Sequence, residues 1–122
     1  MDVLTQRALS AIYQHACHSY PKECCGFVLA DASVREGANI QDELHASEPR
    51  TYQRTAVNGY TFSVANTVFL NSSFRTQNPV EVIYHSHPDV GAYFSQEDID
   101  KALCAAQSCL PGAVRFQCIR EF

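Results

Sequence analysis

Two histidines, His85 and His87, are the residues whose type and spacing point most directly to chemistry. Side chains two positions apart on a β-strand point to the same face, with Cα atoms about 6.5 Å apart, so both imidazoles could bind one ion. Pro88 cannot continue a strand ladder, which places the pair at a strand end. Asp98 follows in the first turn of the next predicted helix. Two imidazoles and a carboxylate form an open tripod, which catalytic zinc sites complete with water.

Each half of this pattern also has an ordinary structural explanation. Histidines two apart on a strand are usually surface residues or a satisfied core pair. Ser95 and Asp98 match a capping box, in which side chains satisfy backbone N–H groups at a helix start. The combination of His-x-His-Pro at a strand end with a carboxylate on the next helix favours a metal site over both explanations.

The segment His85-Ser86-His87-Pro88, followed after six residues by Ser95-x-x-Asp98, resembles the motif of the JAMM (MPN-plus, or JAB/MPN-domain) zinc metalloproteases. Upstream, Pro21-Lys22-Glu23-Cys24-Cys25-Gly26 resembles that family's Pro-x-Glu-x-Cys-Gly segment. The resemblance extends from Leu4 to about Ala106.

The resemblance implies a role for each matching residue. His85, His87 and Asp98 would bind Zn²⁺, Glu23 would be the general base, and Ser95 would help to stabilise the oxyanion. It also implies a fold, an α+β cytidine-deaminase-like sandwich with a mixed β-sheet flanked by helices.

The implied reaction is hydrolysis of a peptide or isopeptide bond. The short spacing from Pro49 to Tyr84 leaves no room for the insertions of eukaryotic deubiquitinases, so the chain resembles the compact prokaryotic form. For that form the expected substrate is a ubiquitin-like sulfur-carrier protein whose C-terminal tail is trimmed to Gly-Gly. The alternatives are a cell-wall or phage-tail-type peptidase and a non-catalytic zinc-containing binding module. A binding module would not need Glu23 beside an open coordination position.

Cysteine spacing argues against two other classes of protein. A zinc deaminase of similar fold would carry a Cys-x-x-Cys pair, which this sequence lacks. A redox protein using Cys24 and Cys25 would have to close a strained ring between adjacent residues. The cysteines are therefore expected to be small buried hydrophobic residues. They are Cys17, Cys24, Cys25, Cys104, Cys109 and Cys118.

Length and charge set the remaining expectations. A chain of 122 residues with 46% hydrophobic residues fits a single domain, residues 1–122. Its net charge of −4 argues against nucleic-acid partners and against anionic membranes. With no signal peptide and no apolar run of about 18 residues, a cytoplasmic location is expected. Family domains usually continue through further strands, so the domain is expected to be short at its C-terminus.

Hydrophobic periodicity predicts the elements that position these residues. The predicted helices are Thr5–Ser19, Ala65–Arg75 and Ser95–Ser108. The predicted strands are Cys25–Asp31, Ile40–His45, Tyr60–Val64, Val80–Ser86 and Ala113–Ile119, with a turn at Ala32–Gly37. Ser86 is expected to point into the core, whereas His15 and His18 on the first helix are expected to face solvent.

Overall fold

The computed structural model describes residues 2–88 and 114–120. These residues form the helices α1 (Gln6–Ser19), α2 (Gln41–Ser47) and α3 (Val64–Ser73), and the strands β1 (Cys25–Leu29), β2 (Val34–Glu36), β3 (Val80–His87) and β4 (Arg115–Arg120). The strands build one sheet in the order β2-β1-β3-β4. β1 is antiparallel to both of its neighbours, whereas β3 and β4 are parallel. The expected α+β class with a mixed sheet is confirmed.

α1 begins where its sequence predicts. The hydroxyl of Thr5 accepts a hydrogen bond from the Ala8 N–H at 3.1 Å, which satisfies a backbone donor at the helix start. Ala8, Ile12, His15 and Ala16 are buried, and their spacing of three and four residues places them on one face. His15 was expected to face solvent, and that prediction is wrong because it lies three residues after Ile12 on this apolar face. The face packs on a core that includes Cys24, Val28, Val82, Tyr84 and Ile119.

β1 and β3 are the central strands of the described sheet. Every residue of β1 is buried, and all but one of β3. The sheet face opposite α1 carries a second core of Phe27, Leu29, Leu70, Val80 and Ile83. A strand covered on both faces reads as a nearly continuous apolar run, which explains why both strands were recognised in the sequence.

The predicted turn at Ala32–Gly37 contains the strand β2 instead. The carboxylate of Asp31 accepts hydrogen bonds from the backbone N–H and the hydroxyl of Ser33, and Ala32 adopts a φ of 68°. These residues turn the chain so that β2 can pair with β1. The prediction is wrong for β2 because its side chains are only partly buried or exposed, a polar composition that an edge strand shares with a turn.

The predicted strand at Ile40–His45 is a helix, so this prediction is wrong. α2 occupies most of the same residues and has Asp42 and Glu43 in its first turn. Acidic residues there interact favourably with the N-terminal end of the helix dipole. At seven residues, α2 is too short to show a clear helical period.

The predicted strand at Tyr60–Val64 is also wrong, although its alternating pattern has a structural meaning. The segment makes one isolated bridge, between Asn39 and Phe62, and Val64 already begins α3. Phe62 stacks on Phe27 of β1 with ring centroids 4.7 Å apart. The alternation therefore marks an extended segment whose aromatic side chains cover the sheet.

The remaining described elements agree with the sequence. α3 covers most of the predicted helix Ala65–Arg75, and β4 overlaps the predicted strand Ala113–Ile119. β4 lies at one edge of the described sheet. No helix within the described ranges is both long and apolar enough to cross a bilayer.

Candidate metal centre

The two histidines of the motif lie at the end of β3. His85 and His87 are both buried, and as alternate residues of a strand they project from the same face. Their Nε2 atoms are 3.1 Å apart. Two nitrogen ligands on a tetrahedral zinc ion lie about 3.3 Å apart, given bonds of about 2.0–2.1 Å. The spacing of the two nitrogens therefore fits a pair of ligands to one metal ion.

β4 adds a sulfur donor beside this pair. Cys118 is the register partner of His85 in the parallel pairing of β3 and β4, and it is buried. The ligand atoms of His85, His87 and Cys118 all lie within 4.8 Å of one another. Imidazole nitrogen and thiolate sulfur are both ligands that zinc takes in proteins. Among the described residues, this cluster could hold a metal ion.

The sequence interpretation treated Cys118 as a small buried residue and missed its position beside the histidines. Its burial is as expected, whereas Cys17 was also expected to be buried and is exposed on α1. The missing information is the pairing of β4 with β3, because nothing in either strand's composition specifies which distant strand is its neighbour. Only its place near the end of a predicted strand could have marked Cys118 as a candidate.

An aromatic ring fixes the orientation of one histidine. The phenol of Tyr60 stacks on the imidazole of His85, with ring centroids 4.8 Å apart and an angle of 19° between the planes. Tyr60 is itself buried and makes an edge contact with Phe62. Because close packing restricts the rotamers of both rings, Tyr60 limits the directions in which the His85 nitrogens can point.

Glu23 approaches the same end of the sheet from the residues before β1. The backbone N–H of Cys24 donates to the Ser86 hydroxyl at 2.8 Å, and the Ser86 N–H donates to the Cys24 carbonyl at 3.0 Å. These bonds extend the antiparallel pairing of β1 and β3 by one residue. Glu23 directly precedes Cys24 in the chain. Glu23 is buried and lies two residues before Cys25, the register partner of His85.

The backbone of Glu23 is held from outside the sheet. Its N–H donates to the Ala56 carbonyl at 2.7 Å. Ala56 in turn donates its N–H to the Asp42 carboxylate at 2.8 Å, and Lys22 forms an ion pair with Asp42 at 3.0 Å. The hydrogen bond from Ala56, followed by that from Lys22, lowers the pKa of Asp42. Asp42 therefore holds Lys22, the residue before Glu23, and also Ala56, whose carbonyl accepts the Glu23 hydrogen bond.

Asn39 joins Glu23 to the segment that carries Tyr60. Its side-chain amide donates one hydrogen bond to the Glu23 carbonyl at 2.9 Å and a second to the Gly59 carbonyl at 3.0 Å. Its side-chain oxygen accepts from the N–H groups of Gln41 and Thr61. One half-buried amide thus joins the backbone at Glu23 to the backbone at Gly59, although the sequence interpretation gave Asn39 no role.

The opposite face of β3 holds no part of the metal cluster among the described residues. Ser86 is fully buried and accepts the Cys24 hydrogen bond, in agreement with its expected direction. The Tyr84 hydroxyl and His15 Nδ1 share a hydrogen bond at 2.6 Å. Burial raises the pKa of Tyr84 and lowers that of His15, so both groups favour their neutral forms.

Two predicted site residues, Ser95 and Asp98, lie outside the described residues. Their roles as oxyanion donor and third metal ligand therefore stay predictions. The same holds for the predicted helix Ser95–Ser108. The described part of the chain brings together His85 and His87, and Glu23 lies buried just before the strand that pairs with them. The chemical roles of all three residues stay predictions.

Comparison with known proteins finds similarities of two kinds, one in sequence and one in fold. The chain is 28% identical over 103 residues to the tail tip assembly protein K of Escherichia phage N15, which covers 84% of this chain and 36% of that protein. A solution structure of a protein from Desulfitobacterium hafniense superposes with a TM-score of 0.58 at 18% identity, covering 80% of this chain and 64% of that chain. The chain thus spans about a third of the phage protein and just under two thirds of the second, and the second likeness concerns the fold alone.

The family assignment rests on a match that covers nearly the whole chain. The family model described as prokaryotic homologs of the JAB domain matches residues 5–119. This range includes both segments on which the resemblance was based, the one around Glu23 and the one from His85 to Asp98. The resemblance inferred from the motif is therefore confirmed, and the chain belongs to the family of prokaryotic homologs of the JAB domain.

Proposed function

We propose that this protein is a zinc-dependent hydrolase of peptide or isopeptide bonds. The observation that carries the proposal is the 3.1 Å separation of the Nε2 atoms of His85 and His87, in a chain of the JAB family. Asp98 is proposed as a further ligand on the basis of the motif, which assigns it to the first turn of the helix predicted from Ser95 to Ser108. The proposal includes the cytidine-deaminase-like sandwich as the arrangement of the whole domain.

Each residue of the site has a part in the proposed reaction. Zinc at such a site supplies Lewis acidity, which polarises a carbonyl group and makes water a better nucleophile near neutral pH. Glu23 takes the proton of the attacking water and transfers it to the leaving amine, as a positioned carboxylate can. Ser95 donates a hydrogen bond to the developing oxyanion. The burial of Glu23 supports its role because few competing water molecules reach a buried carboxylate.

The proposed substrate is an extended C-terminal tail that follows Gly-Gly in a ubiquitin-like sulfur-carrier protein. The family resemblance supports this proposal, and a flexible glycine-containing tail presents backbone without side chains to a narrow site. The net charge of −4 favours a carrier whose docking face is neutral or basic.

A second candidate function is a peptidase that takes part in assembly of a phage tail tip. The 28% identity with the tail tip assembly protein over 84% of this chain favours it. The same residues would carry the hydrolysis, and the substrate would be a cell-wall or tail-protein peptide.

The deciding experiment compares the wild-type protein with Glu23→Gln, a change that removes the base and preserves the shape of the side chain. Both proteins are loaded with zinc and incubated with a tail-extended carrier protein and with a cell-wall peptide, with and without chelator. Mass spectrometry detects the products, and elemental analysis measures the zinc. Loss of a general base lowers the rate by about 10²–10⁴-fold, so Glu23→Gln should keep its zinc and lose nearly all cleavage.

The outcomes separate the candidates. Chelator-sensitive cleavage of only one substrate selects the corresponding substrate class. Zinc binding without cleavage of either substrate by the wild-type protein would favour the non-catalytic binding module. Equal cleavage by wild type and Glu23→Gln would overturn the role of Glu23.

A further inference from the structure

The metal cluster contains a donor that the family motif does not include, the thiol of Cys118. Cys118 and His85 are register partners on two parallel strands, so both strands end at the same side of the sheet. Side chains at paired positions project from the same sheet face. The fold therefore delivers this sulfur to the face and the end of the sheet where His85 and His87 lie.

The distances are close to those of a shared ion. In a tetrahedral zinc site with a Zn–S bond of about 2.3 Å and a Zn–N bond of about 2.05 Å, sulfur and nitrogen lie about 3.6 Å apart. Here the sulfur and both nitrogen donors lie within 4.8 Å of one another. A cysteine side chain has one torsion angle that moves its sulfur, so rotation at Cys118 can shorten these distances without a backbone shift.

The surroundings of Cys118 also suit a ligand better than a reactive surface thiol. The residue is 6% exposed. Its neighbours on the sheet face are two imidazoles, which are the commonest partners of thiolates in mixed zinc sites. Thiolate and imidazole together form a donor set that selects zinc, cobalt or copper over magnesium and calcium.

We propose that Cys118 is a direct ligand of the metal ion bound by His85 and His87. This inference rests on the proposed metal-dependent function and adds a soft donor to it. The described part of the site is then a His₂Cys set, which binds thiophilic metal ions in preference to Mg²⁺ or Ca²⁺. With Asp98 as the further proposed ligand, water or substrate would bind by expansion to five-coordination, which catalytic zinc sites can adopt.

Cobalt absorption tests the ligand directly and needs no substrate. The full chain is loaded with Co²⁺, whose bond to a thiolate produces an intense charge-transfer band in the near ultraviolet. We expect this band in the wild-type protein and its loss in Cys118→Ser. Zinc affinity should fall by at least about 10²-fold in the variant, because even groups that only orient a ligand contribute about 10–100-fold.

Cys25→Ser is the matched control. Cys25 is also buried and is the register partner of His85 on the opposite neighbouring strand, so the two variants remove a sulfur from either side of the same histidine. The band should survive in Cys25→Ser. Its survival in Cys118→Ser, or its loss only in Cys25→Ser, would overturn the proposal.

X-ray absorption of the wild-type protein loaded with zinc covers the case in which Cys118→Ser fails to fold. A sulfur neighbour at about 2.3 Å from zinc is expected. A shell of nitrogen and oxygen alone would overturn the role of Cys118 and leave the proposed function intact. A protein that binds neither Co²⁺ nor Zn²⁺ would overturn both.

Discussion

The side-chain amide of Asn39 donates a hydrogen bond to the backbone carbonyl of Glu23 at 2.9 Å. The same amide group also binds the Gly59 carbonyl at 3.0 Å, next to the residue whose ring stacks on His85. The proposed base and the ring packed on a proposed ligand are thus tied to one side chain. Asn39 is a positioning residue, because its contacts are to the backbone rather than to reacting atoms.

Asn39→Asp should therefore destabilise the protein. An aspartate keeps the shape and the acceptor oxygen but loses both donated hydrogen bonds, each of which contributes about 0.5–1.5 kcal/mol. Urea unfolding of the zinc-free protein measures this cost. Asn66→Asp is the control, since the Asn66 side-chain oxygen accepts from Ala38 and Ser63 and an aspartate would still accept both bonds. Equal stability of Asn39→Asp and wild type would contradict the positioning role.

The metal site leads to a second prediction. The wild-type protein should bind about one zinc ion per chain, and His85→Ala and His87→Ala should each lose most of it, because each removes a proposed ligand. Elemental analysis after purification and dialysis measures the stoichiometry. His18→Ala, on the exposed side of α1, should leave it unchanged. Full zinc content in both cluster variants would show that the ion binds elsewhere.

Gly26 provides a third prediction, because it faces Tyr84 across β1 and β3. A Cβ atom added to Gly26 would overlap the Tyr84 ring and hydroxyl. Gly26→Ala should lower the free energy of unfolding by about 1–3 kcal/mol, the usual range for overpacking a core. At Gly59 the added Cβ would lie 3.2 Å from the Cβ and Cδ atoms of Arg54, a contact relieved by a shift of a few tenths of an ångström, so Gly59→Ala should have a smaller effect. Equal effects of the two variants in urea unfolding would contradict this explanation.

The parts of the fold that were predicted correctly are those with a long local pattern. α1 was recognised because its apolar residues recur at helical spacing, and β3 because it is a long apolar run that the fold buries. α2 and β2 were missed because seven and three residues are too few to establish a period. For such short segments, packing against the rest of the chain outweighs local preference.

The candidate site was predictable to the extent that it lies in one segment. His85 and His87 are two residues apart, so strand geometry alone brings their side chains together. Cys118 and Tyr60 reach His85 through strand pairing and ring stacking between distant segments. Such contacts depend on the sheet order and register, which local sequence does not encode. The inclusion of Glu23 in the candidate site came only from the family resemblance.

The last prediction concerns the pH dependence of stability, and it follows from the burial of His15. Burial is the main cause that lowers the pKa of His15, and His18 adds to it, while the charge of Glu36 acts in the opposite direction. Glu36 lies 3.9 Å from His15 Nε2, and the Tyr84 hydroxyl binds the other ring nitrogen. The unfolded chain, with an ordinary histidine pKa of about 6.5, therefore binds this proton more tightly than the folded protein does.

The contribution of neutral His15 to the free energy of unfolding is thus fully present above about pH 6.5. It is lost as the pH falls through the lowered pKa, and the free energy of unfolding then changes by at most about 1.4 kcal/mol per pH unit. His15→Asn should reduce the slope of the unfolding free energy between about pH 7 and 5, because asparagine can still bind the Tyr84 hydroxyl but does not titrate. His18→Asn, an exposed change on the same helix, should nearly preserve the wild-type slope. Urea unfolding at a series of pH values, with zinc removed, gives the three slopes. If His15→Asn and wild type lose stability equally on acidification, the proton uptake occurs at other groups and His15 does not control it.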